Sequence, residues 1–200
     1  MEEFVSEISE RYGIAEKAVG ELLSLSEPVD ISKGSCIVDC GGFNDSFHLV
    51  SDGILRAFRS PSDRNQTLWF AFPGDIVVDM FCWYGRKASP IGIEAETDAS
   101  AYVIGKRRLT QACETSLSVS NAMRRIFERH SFVFEENILS LWDCDDGRER
   151  YLSILRRHPQ LLRDVPLKKL ASYLKVTPQS LSRIRAGVTS AESVSPPTER

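Results

Sequence analysis

The sequence has 200 residues, of which 42% are hydrophobic and 26% are charged, and its formal net charge is −3. This composition is typical of a globular protein with one mid-sized domain and a small one, and no apolar run approaches the roughly 20 residues that cross a bilayer. The N-terminus is acidic and amphipathic, unlike a signal peptide, and the five cysteines are scattered. We therefore expect a cytoplasmic protein with reduced thiols and no membrane partner.

Two segments of different character open the chain. Apolar residues recur at helical spacing from Glu2 to about Ser26, which predicts two short helices separated near Gly13. From Val29 to about Gly105, short runs rich in β-branched and aromatic residues alternate with turn signals. These turn signals are Lys33-Gly34, Asp52-Gly53 and Pro73-Gly74. The pattern predicts an antiparallel β-barrel or jelly roll with flanking helices, so the expected fold class is α+β.

A long helix is predicted from Leu117 to Trp142, and it carries two adjacent apolar seams. One seam contains Phe127, Phe134, Ile138 and Leu141, and the other contains Ile126 and Val133. A single seam would suffice to dock the helix on its own barrel, whereas a second seam favours the same helix of another subunit. We therefore predict a homodimer with the first seam at its interface; burial of both seams within one chain is the alternative.

Charge is distributed unevenly along the chain. Between Arg148 and Gly187 there are ten Lys or Arg residues and two acidic residues, a local charge of +8, and the rest of the chain carries −11. A compact basic segment on an acidic body is expected of a module that contacts phosphates. The acidic stretch 143–147 before it is interpreted as a hinge in which Gly147 ends a helix. The polar segment 189–200 is predicted to be disordered.

Within the basic segment, residues 165–185 have the pattern of a helix-turn-helix. Ala171 is small where the two helices would cross closely, and Val176 would fill the turn as a buried plug. Thr177 is followed by a proline. This pair predicts that the threonine hydroxyl caps a helix and that the proline occupies the first helical position. Lys175 stands at the turn position where glycine is common, so we expect it in the left-handed region at a cost of roughly 1 kcal/mol.

The second helix of this pattern can lie in the major groove of DNA, where Arg reads guanine and Gln reads adenine. Lys168 and Lys169 lie on the first helix, which crosses the phosphate backbone. The residues expected to contact DNA are Lys168, Lys169, Thr177, Gln179, Ser180, Ser182, Arg183 and Arg185. We therefore predict that the partner is double-stranded DNA carrying an inverted repeat.

With these motifs in this order, residues 5–187 resemble the Crp/Fnr family of transcription regulators. The stretch from Glu149 to Arg185 is especially similar to the short members found in Bacteroidetes-type bacteria, and Phe72-Pro73-Gly74-Asp75 is similar to the entry of the family's phosphate-binding cassette. The resemblance implies an effector domain at 1–115, a dimerisation helix at 116–144, a helix-turn-helix domain at 145–188 and a tail at 189–200. It also implies a dimer that reads bases with Gln179, Ser180 and Arg183 and has RNA polymerase as a partner.

The effector site departs from the family pattern. Family cassettes that bind cyclic AMP contain a Gly-Glu pair and, about ten residues later, an Arg-Ser pair; aligned on Gly74-Asp75, this chain has Val78-Asp79 and then Ser89-Pro90. An anion in a partly closed pocket needs a fixed cation or several N–H donors, and proline removes one donor. We therefore predict that cyclic AMP is not the effector; an empty pocket, a pocket packed by aromatic rings and a pocket for another molecule remain alternatives. The candidate pocket residues are Asp79, Trp83, Tyr84, Arg86 and Ser89.

The sequence offers no catalytic or metal-binding pattern. It lacks a nucleophile elbow, a phosphate loop and an HExxH motif, so no enzyme is predicted. Only Cys36 and Cys40 are close in sequence, and the three histidines share no ligand spacing, so no metal or cofactor is predicted. The alternative functions are a ligand-binding or interaction module with a vestigial helix-turn-helix, and an enzyme with an unrecognised site.

Overall fold

The structure begins with two helices, α1 (Glu2–Tyr12) and α2 (Glu16–Leu25). It is a computed structural model that describes residues 1–60, 65–142, 144 and 146–192, excluding the side chains of 140–142 and 189–192. Gly13 has a φ of 61°, and its N–H donates to the carbonyl of Glu10. Because glycine reaches positive φ without steric cost, it ends α1 at the predicted position.

In the described residues, eight strands form two four-stranded sheets in which every pairing is antiparallel. The strands are β1 (Glu27–Ile31), β2 (Cys36–Val38), β3 (Ser46–Asp52), β4 (Leu55–Arg59), β5 (Gln66–Ala71), β6 (Ile76–Val77), β7 (Gly92–Ala95) and β8 (Ala99–Gly105). One sheet has the order β1-β8-β3-β6 and the other β2-β7-β4-β5. Fully buried side chains such as Val50, Leu55 and Ile93 form one apolar cluster between the sheets. The predicted α+β class with an antiparallel jelly roll is confirmed.

Glycine is required sterically at two of the predicted turns. Gly53 has a φ of 82°, and a Cβ atom there would overlap the carbonyl of Asp98. Gly74 has a φ of 83°, and a Cβ atom there would overlap the guanidinium group of Arg11, which donates a 2.7 Å hydrogen bond to the carbonyl of Pro73. Both glycines therefore allow tight turns between strands. The turn at Gly74 also contacts α1 through Arg11.

A short helix, α3 (Met80–Trp83), separates β6 from β7, and α4 (Lys106–Thr115) leads from β8 into the long helix α5 (Leu117–Trp142). The bounds of α5 are those predicted. Its N-terminal half is buried against α1, α2 and the first sheet, through Val119, Ala122, Met123 and Ile126. Full burial of a valine, methionine or isoleucine side chain contributes roughly 1.5–3 kcal/mol, so these contacts fix α5 on the jelly roll. Within the described part of the chain, no helix is both long and apolar enough to cross a membrane.

Four further helices form the C-terminal helical unit: α6 (Gly147–Arg157), α7 (Gln160–Asp164), α8 (Leu167–Tyr173) and α9 (Pro178–Glu192). Their buried side chains form one apolar cluster, which includes Tyr151, Ile154, Leu161, Leu170, Leu174 and Leu181. Part of the jelly roll belongs to the same cluster, because Ile54 and Phe72 are buried in it. The C-terminal helical unit is therefore packed against the jelly roll.

One expectation about the start of this unit was wrong. Gly147 starts α6 rather than ending a helix: Asp146 is the N-cap, and its carboxylate accepts the N–H groups of the two residues after Gly147. A Cβ on Gly147 would lie 2.5 Å from Val176 Cγ1, so the glycine lets α6 approach the α8–α9 turn closely. Helix α9 continues to Glu192, into the segment expected to be disordered, while 193–200 and the hinge residues 143 and 145 lie outside the described residues.

Candidate nucleic-acid interface

Helices α8 and α9 are joined by a short turn that has the predicted local geometry. Lys175 has a φ of 56°, and Val176 donates its N–H to the carbonyl of Ala171 over 3.0 Å. Thr177 Oγ1 accepts the N–H of Ser180 over 3.1 Å, so the threonine caps the start of α9. Ala171 is fully buried where the helices meet. The predictions for these residues of the turn are confirmed: a left-handed lysine, a hydroxyl cap and a small residue at the crossing.

Helix α9 has a buried face and an exposed face. Leu181 is fully buried and Val188 is 5% exposed, and both pack into the core of the C-terminal helical unit. On the helix surface the residues with exposed side chains are Gln179, Ser182, Arg183 and Arg185, while Ser180 is half-buried beside the Thr177 cap. Because these arginine and glutamine side chains are exposed, they can form hydrogen bonds with the edges of DNA bases.

The two adjacent lysines of α8 are in different environments. Lys168 is exposed. Lys169 points at the jelly roll, where its Nζ lies 2.7 Å from Glu94 Oε1 and 2.8 Å and 3.0 Å from the two carboxylate oxygens of Glu96. Lys168 is thus exposed, whereas the Lys169 side chain is 30% exposed and paired with carboxylates.

The carboxylates that hold Lys169 also surround a buried arginine. The Arg56 side chain is fully buried; its Nε lies 2.7 Å from Glu96 Oε1, and its guanidinium group also pairs closely with Glu94. Strand pairing places Arg56 and Glu94 side by side, because they are direct partners in the β4–β7 register. The remaining guanidinium donors reach Asn65 Oδ1 over 2.7 Å and Thr67 Oγ1 over 2.9 Å. Such complete pairing is what allows charges to be buried without a large desolvation penalty.

The pKa values of Glu94 and Glu96 are shifted in opposite directions. Burial raises the pKa of the Glu96 carboxyl above its ordinary value, despite the ammonium of Lys169 beside it. Burial also acts to raise the pKa of Glu94, but hydrogen bonds from Lys169 and Arg56 outweigh it and lower that pKa. Two cations and two carboxylates therefore form one compact charge cluster between β4, β7 and α8.

Polar and aromatic contacts continue from this charge cluster across the rest of α8. The backbone N–H of Thr67 on β5 donates to Ser172 Oγ over 3.0 Å, and its hydroxyl donates to the carbonyl of Lys169 over 3.1 Å. The Phe70 and Tyr173 rings meet edge to face with centroids 5.2 Å apart. These contacts dock one side of α8 against the second sheet.

In the jelly roll, the predicted effector-pocket residues do not form one cluster of available polar groups. Asp79 is 2% exposed and caps α3, because its Oδ1 accepts the N–H of Phe81 over 2.9 Å. Ser89 is 1% exposed, and its hydroxyl donates to the carbonyl of Ile91 over 2.8 Å. Both buried polar groups are thus satisfied by the protein itself.

The other three predicted pocket residues lie at or near the surface. Tyr84 is 84% exposed, so this ring does not pack the jelly-roll interior as one of the alternatives supposed. Arg86 is also exposed, with a φ of 49°. Trp83 is half-buried, and its carbonyl accepts a hydrogen bond from the ammonium of Lys106. Arg86 is therefore exposed while Ser89 is buried, so these two residues do not form a buried pair that could hold an anion.

The two halves of α5 differ in burial, and both predicted seams begin in the buried half. Ile126 is buried in the subunit's own core, and Phe127 packs half-buried against the same core. Farther along α5, several large apolar side chains are exposed: Phe132 (52%), Phe134 (44%), Ile138 (42%) and Leu139 (59%). The side chain of Leu141 lies outside those that are described. Half of this helix thus serves the subunit's own core, and its second half presents an uncovered apolar face.

The charge cluster is the part of this region that sequence reasoning missed. Its signal was present: Glu94 and Glu96 are two residues apart in a strand-like segment, so they lie on one face of the sheet. Arg56 likewise interrupts an otherwise apolar strand. No group of three or more His, Cys, Asp or Glu side chains in the described residues is arranged to hold a metal ion.

Comparisons with known proteins agree with this architecture. Residues 28–116 match the family model described as "Cyclic nucleotide-binding domain". No curated protein sequence matches the chain. This stretch is therefore similar to that domain family, in agreement with the antiparallel jelly roll that it forms.

Solved structures extend the similarity beyond that domain. FixK2 from Bradyrhizobium japonicum is 17% identical with a TM-score of 0.67, over 88% of this chain and 90% of that one. CLP from Xanthomonas campestris, described as a c-di-GMP responsive global regulator, is 16% identical with a TM-score of 0.69, over 92% and 96%. The catabolite activator protein of Thermus thermophilus is 19% identical with a TM-score of 0.52, over 93% and 89%. At these identities the chain shares the fold of these regulators along nearly its whole length.

Proposed function

We propose that the protein is a sequence-specific DNA-binding transcription regulator of the Crp/Fnr type that acts as a homodimer. The observation that carries this proposal is the exposed face of α9. Arg183 and Gln179 project from the first turns of a capped helix whose opposite side is buried, which is the arrangement that inserts into a major groove. The excess of positive charge between Arg148 and Gly187 supplies the phosphate attraction that DNA binding requires.

The homodimer forms through α5 in this proposal. The uncovered apolar residues Phe134, Ile138 and Leu139 lie on the part of α5 beyond the subunit's own core. Phe134 and Ile138 are one turn apart on the same side of α5, and an exposed apolar surface on a long helix is stabilised when the same surface of a second subunit covers it. Two subunits related by a two-fold axis would present two α9 helices to successive turns of the major groove.

Cyclic AMP is not the effector in this proposal. Asp79 already caps α3, and Ser89 bonds within its own loop, so neither offers a free polar group to a nucleotide. A cyclic phosphate also needs a cation in the pocket, and Arg86 is exposed in this structure. Contact with RNA polymerase, which the family resemblance implies, is part of this proposal.

Selection of binding sites from random double-stranded DNA tests the proposal. The full-length protein is expected to enrich an inverted repeat whose half-sites are about one helical turn apart. Arg183→Ala should still enrich the repeat but with relaxed preference at one base pair of each half-site. Arg163→Ala should select the same site as the wild type; it is the matched control, because Arg163 is an exposed arginine of the same helical unit that pairs with Asp164. Retention without sequence preference, or no retention, would favour a ligand-binding or interaction module with a vestigial motif.

A further inference from the structure

The charge cluster has a consequence for DNA binding, and this inference rests on the proposed function. We propose that Glu94 and Glu96 compete with DNA phosphate for Lys169, so that the docked structure is a closed state with reduced affinity for DNA. The docked contacts hold α8 against the second sheet, and DNA binding at full strength requires their release.

The competition follows from the hydrogen-bond capacity of the lysine. An ammonium group has three N–H donors and no acceptor. Three carboxylate oxygens lie within 3.0 Å of Lys169 Nζ, one from Glu94 and two from Glu96. The ammonium group is therefore paired with two carboxylates, and a phosphate oxygen would compete with them for its donors. The first helix of a helix-turn-helix crosses the DNA backbone, so this is the helix whose cations meet phosphates.

The carboxylates are held in place to act as competitors. Glu96 is 1% exposed, and both carboxylates are fixed by the fully buried Arg56. Removing Lys169 leaves one cation for two carboxylates, of which Glu96 is buried and Glu94 half-buried, so opening has a cost beyond one lost ion pair. Closure also includes contacts that have no part in DNA reading, namely the Thr67–Ser172 hydrogen bond and the Phe70–Tyr173 ring pair. These contacts set the balance between the closed and open states.

The apparent affinity for DNA should then scale with the fraction of protein in the open state. Phe70→Ala removes the ring pair from the jelly-roll side and leaves α8 and α9 unchanged. An aromatic pair contributes a factor of roughly 3 to 10 to an equilibrium constant, so affinity per subunit should rise by about that factor. Phe43→Ala is the matched control, because Phe43 is an exposed phenylalanine of the loop between β2 and β3. Ser172→Ala is a milder opening variant that removes a single hydroxyl group.

Lys169→Gln completes a double-mutant cycle with Phe70→Ala. In the wild-type background it removes the closing contact and the phosphate contact together, so its effect on operator affinity should be small. In the Phe70→Ala background only the phosphate contact is lost, so affinity should fall severalfold further. The slope of log affinity against log salt should also become about 0.9 less negative per subunit, the value for one phosphate.

The measurements are operator affinities of the full-length variants by fluorescence anisotropy at several salt concentrations, with circular dichroism to verify folding. If Phe70→Ala fails to fold, Ser172→Ala replaces it in the cycle. An unchanged or lowered affinity in a folded opening variant, or an equal loss from Lys169→Gln in both backgrounds, would overturn the closed state while the proposed function stands. If neither the wild type nor any opening variant prefers the selected operator, the proposed function itself fails.

Discussion

The apolar face of α5 gives the most quantitative prediction for the proposed dimer. Phe134 is 44% exposed in the single subunit. A phenylalanine buries on the order of 200 Å², so pairing would cover roughly 90 Å² more of each side chain. At about 25 cal/mol per Å² this stabilises the dimer by about 2 kcal/mol per subunit, or about 4 kcal/mol for the two symmetric copies.

Phe134→Glu should remove this contribution and bring two like charges together across the two-fold axis. The dimer dissociation constant is therefore expected to rise by a factor of about 1,000 or more, since each 1.4 kcal/mol corresponds to a factor of ten. Sedimentation equilibrium of the wild type and the variant measures this change. The matched control is Leu117→Glu, which places the same charge at the opposite end of α5, where Leu117 is 78% exposed.

Two results would refute the reasoning. A wild-type protein that is monomeric at micromolar concentration would show that the face of α5 does not pair. A folded Phe134→Glu variant with an unchanged dimer constant would show that the subunits associate through another surface.

Three further predictions concern the effector, the α9 cap and the response to pH. Isothermal titration calorimetry should detect no cyclic AMP binding below about 1 mM, roughly −4 kcal/mol, and a micromolar constant would contradict the assignment of the pocket residues. Thr177→Ala should destabilise the protein by about 1 kcal/mol in urea unfolding while Thr177→Ser should not, because the serine keeps the hydroxyl that accepts the N–H of Ser180. Burial lowers the pKa of His48 below its ordinary value, so the unfolded chain binds this proton first as pH falls. The free energy of unfolding should therefore decrease below about pH 6.5, by at most about 1.4 kcal/mol per pH unit for this group, and His48→Gln should flatten that dependence, whereas an unchanged slope would contradict it.

Sequence reasoning succeeded where local periodicity and backbone chemistry decide the structure. The 26-residue helix from Leu117 to Trp142 follows from its apolar repeat, and the cap at Thr177 follows from a hydroxyl residue before a proline. The same is true of the left-handed Lys175, because the turn between two crossing helices fixes its backbone whatever the side chain. These features depend on residues close to one another in the sequence.

The expectations that failed depend on contacts between distant residues. Gly147 resembled a helix stop in its local sequence, but its role is to admit Val176, 29 positions later, at the start of α6. The sequence likewise did not indicate that Lys169, unlike Lys168, is paired with Glu94 on β7 and with Glu96. Its contact with DNA phosphate stays a prediction. Which strand lies beside α8 is decided by packing of the C-terminal helical unit on the second sheet, and spacing along the chain carries no information about it.

Base reading by α9 is the central claim, and one comparison tests it most directly. Operator affinity is measured for the wild type, Arg183→Ala and Lys168→Ala, on the selected site and on each single-base variant of one half-site, at several salt concentrations. We expect Arg183→Ala to lose about 1–3 kcal/mol per half-site and to relax preference at one base pair. Lys168→Ala should weaken binding to all sequences alike and flatten the salt dependence. A uniform loss of affinity in Arg183→Ala, with sequence preference unchanged, would contradict the account.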